Sequence, residues 1–451
     1  MSASTTITGG VRQWKRYSAY KGSGLSTGIQ IPSHWSMTRL KHIAAVRPSN
    51  VDKKTVDGQE GVRLCNYVDV YKNDSITADF DFMQASATPA QIAAFSLKAG
   101  DVIVTKDSET WMDIAVPAHV EVDLPGVLCG YHLALIRPRP ERVCGAFLCR
   151  SFAGSGILDQ FRVAANGITR FGLGTSAIAD SEFPLPPLDE QRRIVAFLDR
   201  EMTKIAALIA KKERLIELLR EKRTALISHA VTKGLDRNVP LKESCIDWAG
   251  TIPAHWEVKR AKFLFRQSSL PVKDGEGVVT AFRDGQVTLR ENRRSEGFTF
   301  AILEVGYQGV RKGQLVLHSM DAFAGAIGIS ESDGKCSPEY IVCDPLSLDV
   351  IPEYYSPCLR EMSRQKFIEV SCQAVRERAP RIRFSTFAEM WLPVPPREEQ
   401  LAIAAHVKLS RQRYDDYIRT VQKSLGIHRE YRTALISAAV TGKIDVREEV
   451  A

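Results

Sequence analysis

The sequence is short of every signature that would announce a reaction. It has no GxxxxGK[ST] phosphate loop, no HExxH helix and no kinase-type set of motifs. It has no Asp/Asn-Pro-Pro-aromatic tetrapeptide of an amino-methyltransferase; its Pro-Pro steps read PLPP and PVPP, which suit helix lead-ins better than polyproline ligands. The GxG within FGLGTSA, 171–177, lacks a third glycine and a preceding strand, and predicts a turn. The nine cysteines are odd in number and without a CxxC pair. Cys144/Cys149 and Cys336/Cys343 lie closest, neither at zinc-knuckle spacing, so free buried thiols in a reducing cytoplasm are expected and no metal. No apolar run approaches the roughly 20 residues of a membrane helix, and Met1–Gly10 lacks a basic-then-apolar leader pattern. With 44% hydrophobic and 25% charged residues, the chain reads as soluble and globular. Its 451 residues exceed what one core accommodates, so two or more domains are expected. A formal charge of +8 permits an anionic partner without demanding one.

What the chain does have, it has twice. Residues 184–232 run from PLPPLDEQRRIVAFLD to RTALISHAVT, and residues 393–441 from PVPPREEQLAIAAHV to RTALISAAVT, a gapless offset of 209. An earlier marker, IPSHWSMTRLKHI at 31–43, returns as IPAHWEVKRAKFL at 252–264, an offset of 221. The order is marker, variable body, long helix, then the same again, and a repeat of this size sets the architecture. The recurrent His34-Trp35 and His255-Trp256 sit inside the marker, which favours structural anchors over catalysts.

The repeated helices carry the clearest periodicity. Ile194, Leu198, Ile205, Leu208, Leu215, Leu219 and Leu226 fall on three- and four-residue steps, with Glu201, Lys212 and Lys222 filling the seam. This rhythm predicts a coiled-coil face. The second copy offers Ile403, Val407, Ser410, Tyr414, Tyr417, Val421, Ser424, His428, Tyr431 and Leu435; its seam is rougher, and Gly426 costs about 1 kcal/mol relative to Ala. Asp189-Glu190 and Glu398-Glu399 suit the positive ends of the two helices, and Gly234 and Gly442 mark their stops. About 40 residues at 1.5 Å give a rod of roughly 60 Å. The simplest partner for one copy is the other, antiparallel.

The bodies, roughly 44–183 and 265–392, alternate short β-rich runs with turns, as in GDVIVTKD at 100–107, VLCGYHLALIRP at 127–138, GQLVLHSM at 313–320 and EYIVCDPLSLDV at 339–350. PAQIAAF at 89–95 and YYSPCLREMSRQKF at 354–367 read as helical. The bodies align faintly, Gly100–Val104 with Gly313–Leu317 and ITRF at 168–171 with RIRF at 381–384. The expected fold is α+β: two mixed domains separated by two long antiparallel coiled-coil helices, in a pseudo-two-fold internal repeat. The expected segments are 1–183, 184–236, 237–392 and 393–447.

The IPxHW marker, the PLPPLDEQRRI helix opening and the RTALISxAVTxGK close, duplicated around two dissimilar bodies, resemble the specificity subunit of type I restriction–modification systems, from about Ile31 to Asp445. The resemblance implies two target recognition domains, each reading one half of a bipartite asymmetric site in double-stranded DNA. The paired helices would set the spacer and dock two methyltransferase subunits. Two restriction/translocase subunits would complete the endonuclease complex of this prokaryotic defence. It implies no catalysis and no cofactor in this chain; S-adenosylmethionine, ATP and Mg belong to the partners. It also implies a cytoplasmic location and no membrane partner.

DNA contact asks for Arg and Lys on phosphates and for Arg, Asn, Gln, Ser or Thr on base edges. The candidates are Gln160, Arg162, Asn166, Thr169 and Arg170 in the first body, and Arg376, Arg378, Arg381 and Arg383 in the second. The stretch 288–297 and Lys53-Lys54 are looser candidates. Two rivals stand beside this reading. A DNA-modifying enzyme with unrecognised catalytic bodies would act alone; a coiled-coil scaffold would bind no duplex.

Overall fold

The computed structural model describes residues 14–25, 27–293, 305–371 and 381–449, with the backbone of 7–8 and 11–12. The chain forms two compact units, and they do not follow chain order. The first comprises residues 1–212 and 423–451, the second Glu213–Gln422. The long helices run unbroken over Leu188–Lys233 and Arg397–Val440, and each contributes one part to each unit.

In the first unit the sequence markers meet at one corner. Glu190, in the first turn of the first long helix, accepts from Trp35 Nε1 at 3.1 Å and from Tyr17 Oη at 2.6 Å, and lies 2.8 Å from His34 Nε2. Trp35 is fully buried. It and Pro32 also press on Gly442, just past the end of the second long helix, whose φ of +72° and tight space admit no side chain. The next residue, Gln191, caps the body: its Oε1 accepts from Cys144 N at 2.8 Å, at the start of the helix Gly145–Ser151, and its Nε2 donates to Pro186 O at 2.8 Å. Strand Ser36–Arg39 pairs with Glu182–Leu185, joining the marker to the helix lead-in.

The second unit repeats these bonds, apart from the one made by Tyr17. Glu399 accepts from Trp256 Nε1 at 2.9 Å and lies 2.5 Å from His255 Nε2. Gln400 accepts from Ile351 N at 3.0 Å and donates to Pro395 O at 2.8 Å. Strand Glu257–Arg260 pairs with Trp391–Val394, and Trp256 lies against Gly234 after the first long helix. The repeat also begins earlier than the sequence marker. Tyr20–Gly22 pairs with Gln30–Pro32 as Leu241–Glu243 pairs with Thr251–Pro253.

Each unit holds the two long helices antiparallel. In the first, Ile194, Leu198 and Ile205 share a core with Leu435, Ala439 and Val440, and Lys212 Nζ donates to Ser424 Oγ at 2.9 Å. In the second, Ala230 and Val231 share a core with Ile403 and Val407, and Arg223 is ion-paired with Asp415. The seam needs one correction. Leu208, Leu215 and Tyr417 are 45%, 43% and 44% exposed, whereas Ile216 and Ile418 beside them are buried and Ile209 packs on the core. Leu219, Leu226, Tyr414, Val421 and Tyr431 are half-buried. A strict 3.5-residue count drifts off the face of a helix that turns every 3.6 residues. The buried stripe here follows Ile194, Ile205 and Ile216 at eleven-residue steps and reaches the half-buried Ile227 one step on. Gly426 lies inside the second helix without interrupting it.

The bodies share one strand order. The first has Ala44–Pro48, Leu133–Pro138, Val102–Thr105 and Pro117–Val120 side by side, extended by Ser75–Ile76. The second has Phe265–Gln267, Tyr340–Pro345, Leu315–His318 and Ile327–Ile329. Against them lie the matched helices Gly145–Ser151 and Pro352–Arg364. The first body adds a four-stranded sheet, Ser96–Leu97, Leu124–Cys129, Glu60–Cys65 and Met83–Ala87, over its own core, where the second has two-stranded ribbons. The eight described cysteines are free, and the described residues hold no metal-ligating group. No described helix is long and apolar enough to cross a membrane.

Candidate nucleic-acid interface

In each body the shared sheet ends in loops whose composition differs from its twin, and Thr169, Arg170, Arg381 and Arg383 lie there. In the first body, Asn166 and Gly172 exchange backbone hydrogen bonds at 3.1 and 2.9 Å, closing a turn that presents Ile168, 96% exposed, and Thr169. Phe171–Gly172 pairs with Asp107–Ser108, which brings Arg170 Nη2 to 2.6 Å from Asp107 Oδ1. Asp107 also holds His132 Nδ1 at 2.9 Å. Beside them Lys106 Nζ lies 4.5 Å from the centre of the Tyr131 ring, and burial lowers the Lys106 pKa. Trp111 and Tyr131 are half exposed, and Tyr67 and Tyr71 stack at 5.4 Å.

The remaining candidates divide. Gln160 is committed within the protein: its amide donates to Glu182 O and its carbonyl accepts from Glu182 N, both at 2.9 Å. A residue so engaged ties its helix to the lead-in strand, with one donor and one acceptor of its amide already used. Asn166 donates to Ala164 O at 2.9 Å, stabilising the turn. Arg162 reaches Met112 O and Asp159, each at 3.3 Å.

In the second body Arg381 bridges Glu339 at 3.1 Å, and Ile382 N donates to Ser319 O at 3.0 Å. Leu173 N makes the matching bond to Lys106 O at 2.8 Å. Ile382 is therefore the counterpart of Leu173, and the sequence pairing of ITRF with RIRF stands four residues out of step. Arg383 is exposed at the start of Phe384–Ala388. Arg376 and Arg378 lie outside the described residues, as does the end of the stretch 288–297. Within that stretch Arg290 contacts Thr280 and Arg293 pairs with Asp284. Lys53 and Lys54 are exposed away from these partners.

The exposed ion pairs of Arg170 and Arg381 are each worth about 0–1 kcal/mol, so a phosphate can replace the carboxylate at small cost. The guanidiniums are held at the loops yet remain available. Lys106, Trp111 and Tyr131 were not singled out from the sequence. The signal was a tyrosine in GYH between two apolar runs, where a buried strand residue would be expected.

No known family profile matches the chain. The putative type I restriction enzyme MjaX specificity subunit of Methanocaldococcus jannaschii is 25% identical over 262 residues, 55% of this chain and 59% of the relative. The type I restriction enzyme EcoBI specificity subunit of Escherichia coli is 24% identical over 314 residues, 64% of each. The matched region thus spans about three fifths of these curated relatives. Among solved structures, a chain from work on complex assembly and conformational transition of the type I restriction–modification system is similar with a TM-score of 0.69. It is 16% identical, with 92% of this chain and 99% of that one covered. The HsdS subunit from Thermoanaerobacter tengcongensis gives 0.55 at 16% identity, covering 92% and 98%. The resemblance carried by the repeat is therefore shown: this chain is related in sequence to type I restriction–modification specificity subunits and has their fold.

Proposed function

We propose that the chain is the DNA-recognition subunit of a type I restriction–modification complex and does no chemistry itself. Each body reads one half of a bipartite asymmetric site through its loops. The long helices set the number of unread base pairs and offer the docking surface for methyltransferase subunits. The observation that carries this reading is the duplicated corner. The same Trp–Glu and Gln–backbone bonds position two bodies that share a strand order but differ in the loops they present. A frame conserved in geometry with divergent faces suits two readers of two different sequences. Arg170, Lys106, Arg381 and Arg383 are the proposed phosphate contacts, with Thr169 and His132 placed for base edges. The relatives named as specificity subunits support the reading. S-adenosylmethionine, ATP and Mg would be held by the partner subunits.

The test is adenine-methylation mapping in cells that carry the partner subunits with and without this chain, and with residues 44–183 exchanged for another relative's body. One half-site should change and the other persist. Change in both halves, or in neither, would sink the modular reading. Methyl transfer by the purified chain alone would favour an enzyme. Absence of salt-sensitive duplex binding would favour a scaffold, because phosphate contacts weaken steeply as salt rises.

A further inference from the structure

Both units contain a cavity lined by the body and the long-helix segments of that unit, but their charges differ. In the first unit the cavity is about 480 Å³. Its arginines are matched, Arg432 to Asp74 and Arg150 to Asp199. In the second unit the cavity is about 730 Å³ and five arginines reach its wall. There the carboxylates are already engaged. Asp415 is bound by Arg223, Asp284 by Arg293 from outside the cavity, Glu361 by Arg364, Gln365 and Ser228, and Glu331 by the neutral Gln286 amide. Arg283 turns to Asp321.

Two guanidiniums are left. Arg360 is seated against Gly285, where φ is +89° and a Cβ would lie 1.6 Å from its nitrogen; it donates to the Asp284 carbonyl, a neutral acceptor. Among the described residues Arg411 donates no hydrogen bond and closes no ion pair. Burial, together with repulsion from Arg411 and Arg223, pushes Arg360 down to about 10; Arg411 is lowered by burial and by Arg223. The first unit shows that the shared frame does not require this excess. At the position matching Arg411 it carries Met202.

Adjacent guanidiniums with spare donors, held half-buried, complement an oxyanion and favour bidentate contact with phosphate. The cavity has the size of a small-molecule site, far larger than one phosphate needs. Ile227, Phe323 and Pro357 supply an apolar wall for a ring. We propose that the second unit's cavity binds a nucleoside phosphate, with the phosphoryl group on Arg411 and Arg360. This is independent of whether the loops read DNA.

The test uses the purified full chain, titrated with AMP, ATP, inorganic phosphate and adenosine at constant ionic strength, by calorimetry and thermal shift. Wild type should bind AMP and ATP saturably, inorganic phosphate more weakly and adenosine not at all. Arg411→Met, which copies the first unit, should weaken nucleotide binding by about tenfold or more while leaving the ligand-free Tm unchanged or higher. Arg411→Lys, which keeps the charge but loses the fork, should fall between the two and serves if the methionine variant does not fold. Three outcomes would overturn the proposal: no saturable binding, binding that ignores position 411, or protection of Arg411 by duplex DNA alone. The last would assign the oxyanion to a DNA phosphodiester.

Discussion

Glu190 and Glu399 occupy the same place in the two units, yet their side chains are 7% and 39% exposed. Glu190 has Tyr17 as an additional donor, and burial and this bond raise the Tyr17 hydroxyl above the ordinary tyrosine range. The difference follows connectivity. In the second unit the clamped Gly234 and the clamping Trp256 lie close in sequence, so little loop entropy opposes the corner. In the first, Gly442 and Trp35 come from distant parts of the chain, and the join is made by contacts alone. Asp445 N donates to Lys15 O at 2.8 Å, Tyr20 reaches Lys443 O, and Arg447 lies over the Tyr17 ring. A corner closed without covalent help carries more bonds and hides them better.

The largest effect should come from cutting that corner. Glu190→Ala leaves a buried indole N–H and a buried hydroxyl unpaired, and should cost about 3–5 kcal/mol in urea unfolding. Glu399→Ala should cost about 1–2 kcal/mol, since water reaches its site. Equal losses would break the comparison. Next come the helices: Leu198→Ala should cost about 3 kcal/mol, whereas Leu208→Ala and Leu215→Ala should stay under about 0.5 kcal/mol. Ile216→Ala should exceed Leu215→Ala, and the reverse order would restore the seven-residue seam. Gly426→Ala should stabilise by about 1 kcal/mol, because an added Cβ meets nothing within 4 Å. Smallest is a pH effect shared by both units. Burial lowers His119 in the first and His318 in the second below the ordinary histidine value. The unfolded chain takes their protons first, so this stability is complete above about pH 6.5 and is lost as pH falls through the native values. Urea midpoints measured from pH 7.5 downward should decline, and His119→Asn should flatten part of the slope.

The frame was legible because it is written twice with little change. Pro-Pro, an acidic first turn and a glycine stop place each long helix within a residue or two of its observed ends. The His-Trp pairs were readable as anchors, but not their partners. Glu190 and Glu399 read as first-turn charges on the helix dipole, and nothing local says that such a carboxylate is also shared with an indole from another segment. The seam was half legible: Leu, Ile and Leu at 215, 216 and 218 offer several stripes, and only packing selects Ile216. The interface was least legible. Gln160 and Arg170 look alike as polar residues near a loop, and one bonds both faces of its amide to the backbone while the other stays exposed.

The discontinuity of the first unit bears on how the chain is made. The second unit is one continuous stretch, Glu213–Gln422, whereas the first is incomplete until residues beyond Lys423 arrive. During synthesis the body made first must wait, with Ile194, Leu198 and Phe197 lacking the strip of Leu435, Ala439 and Val440 that covers them. The order in which the two units are written is thus the reverse of the order in which they can be finished. A chain released at residue 422 would hold every residue of the second unit and an open first one.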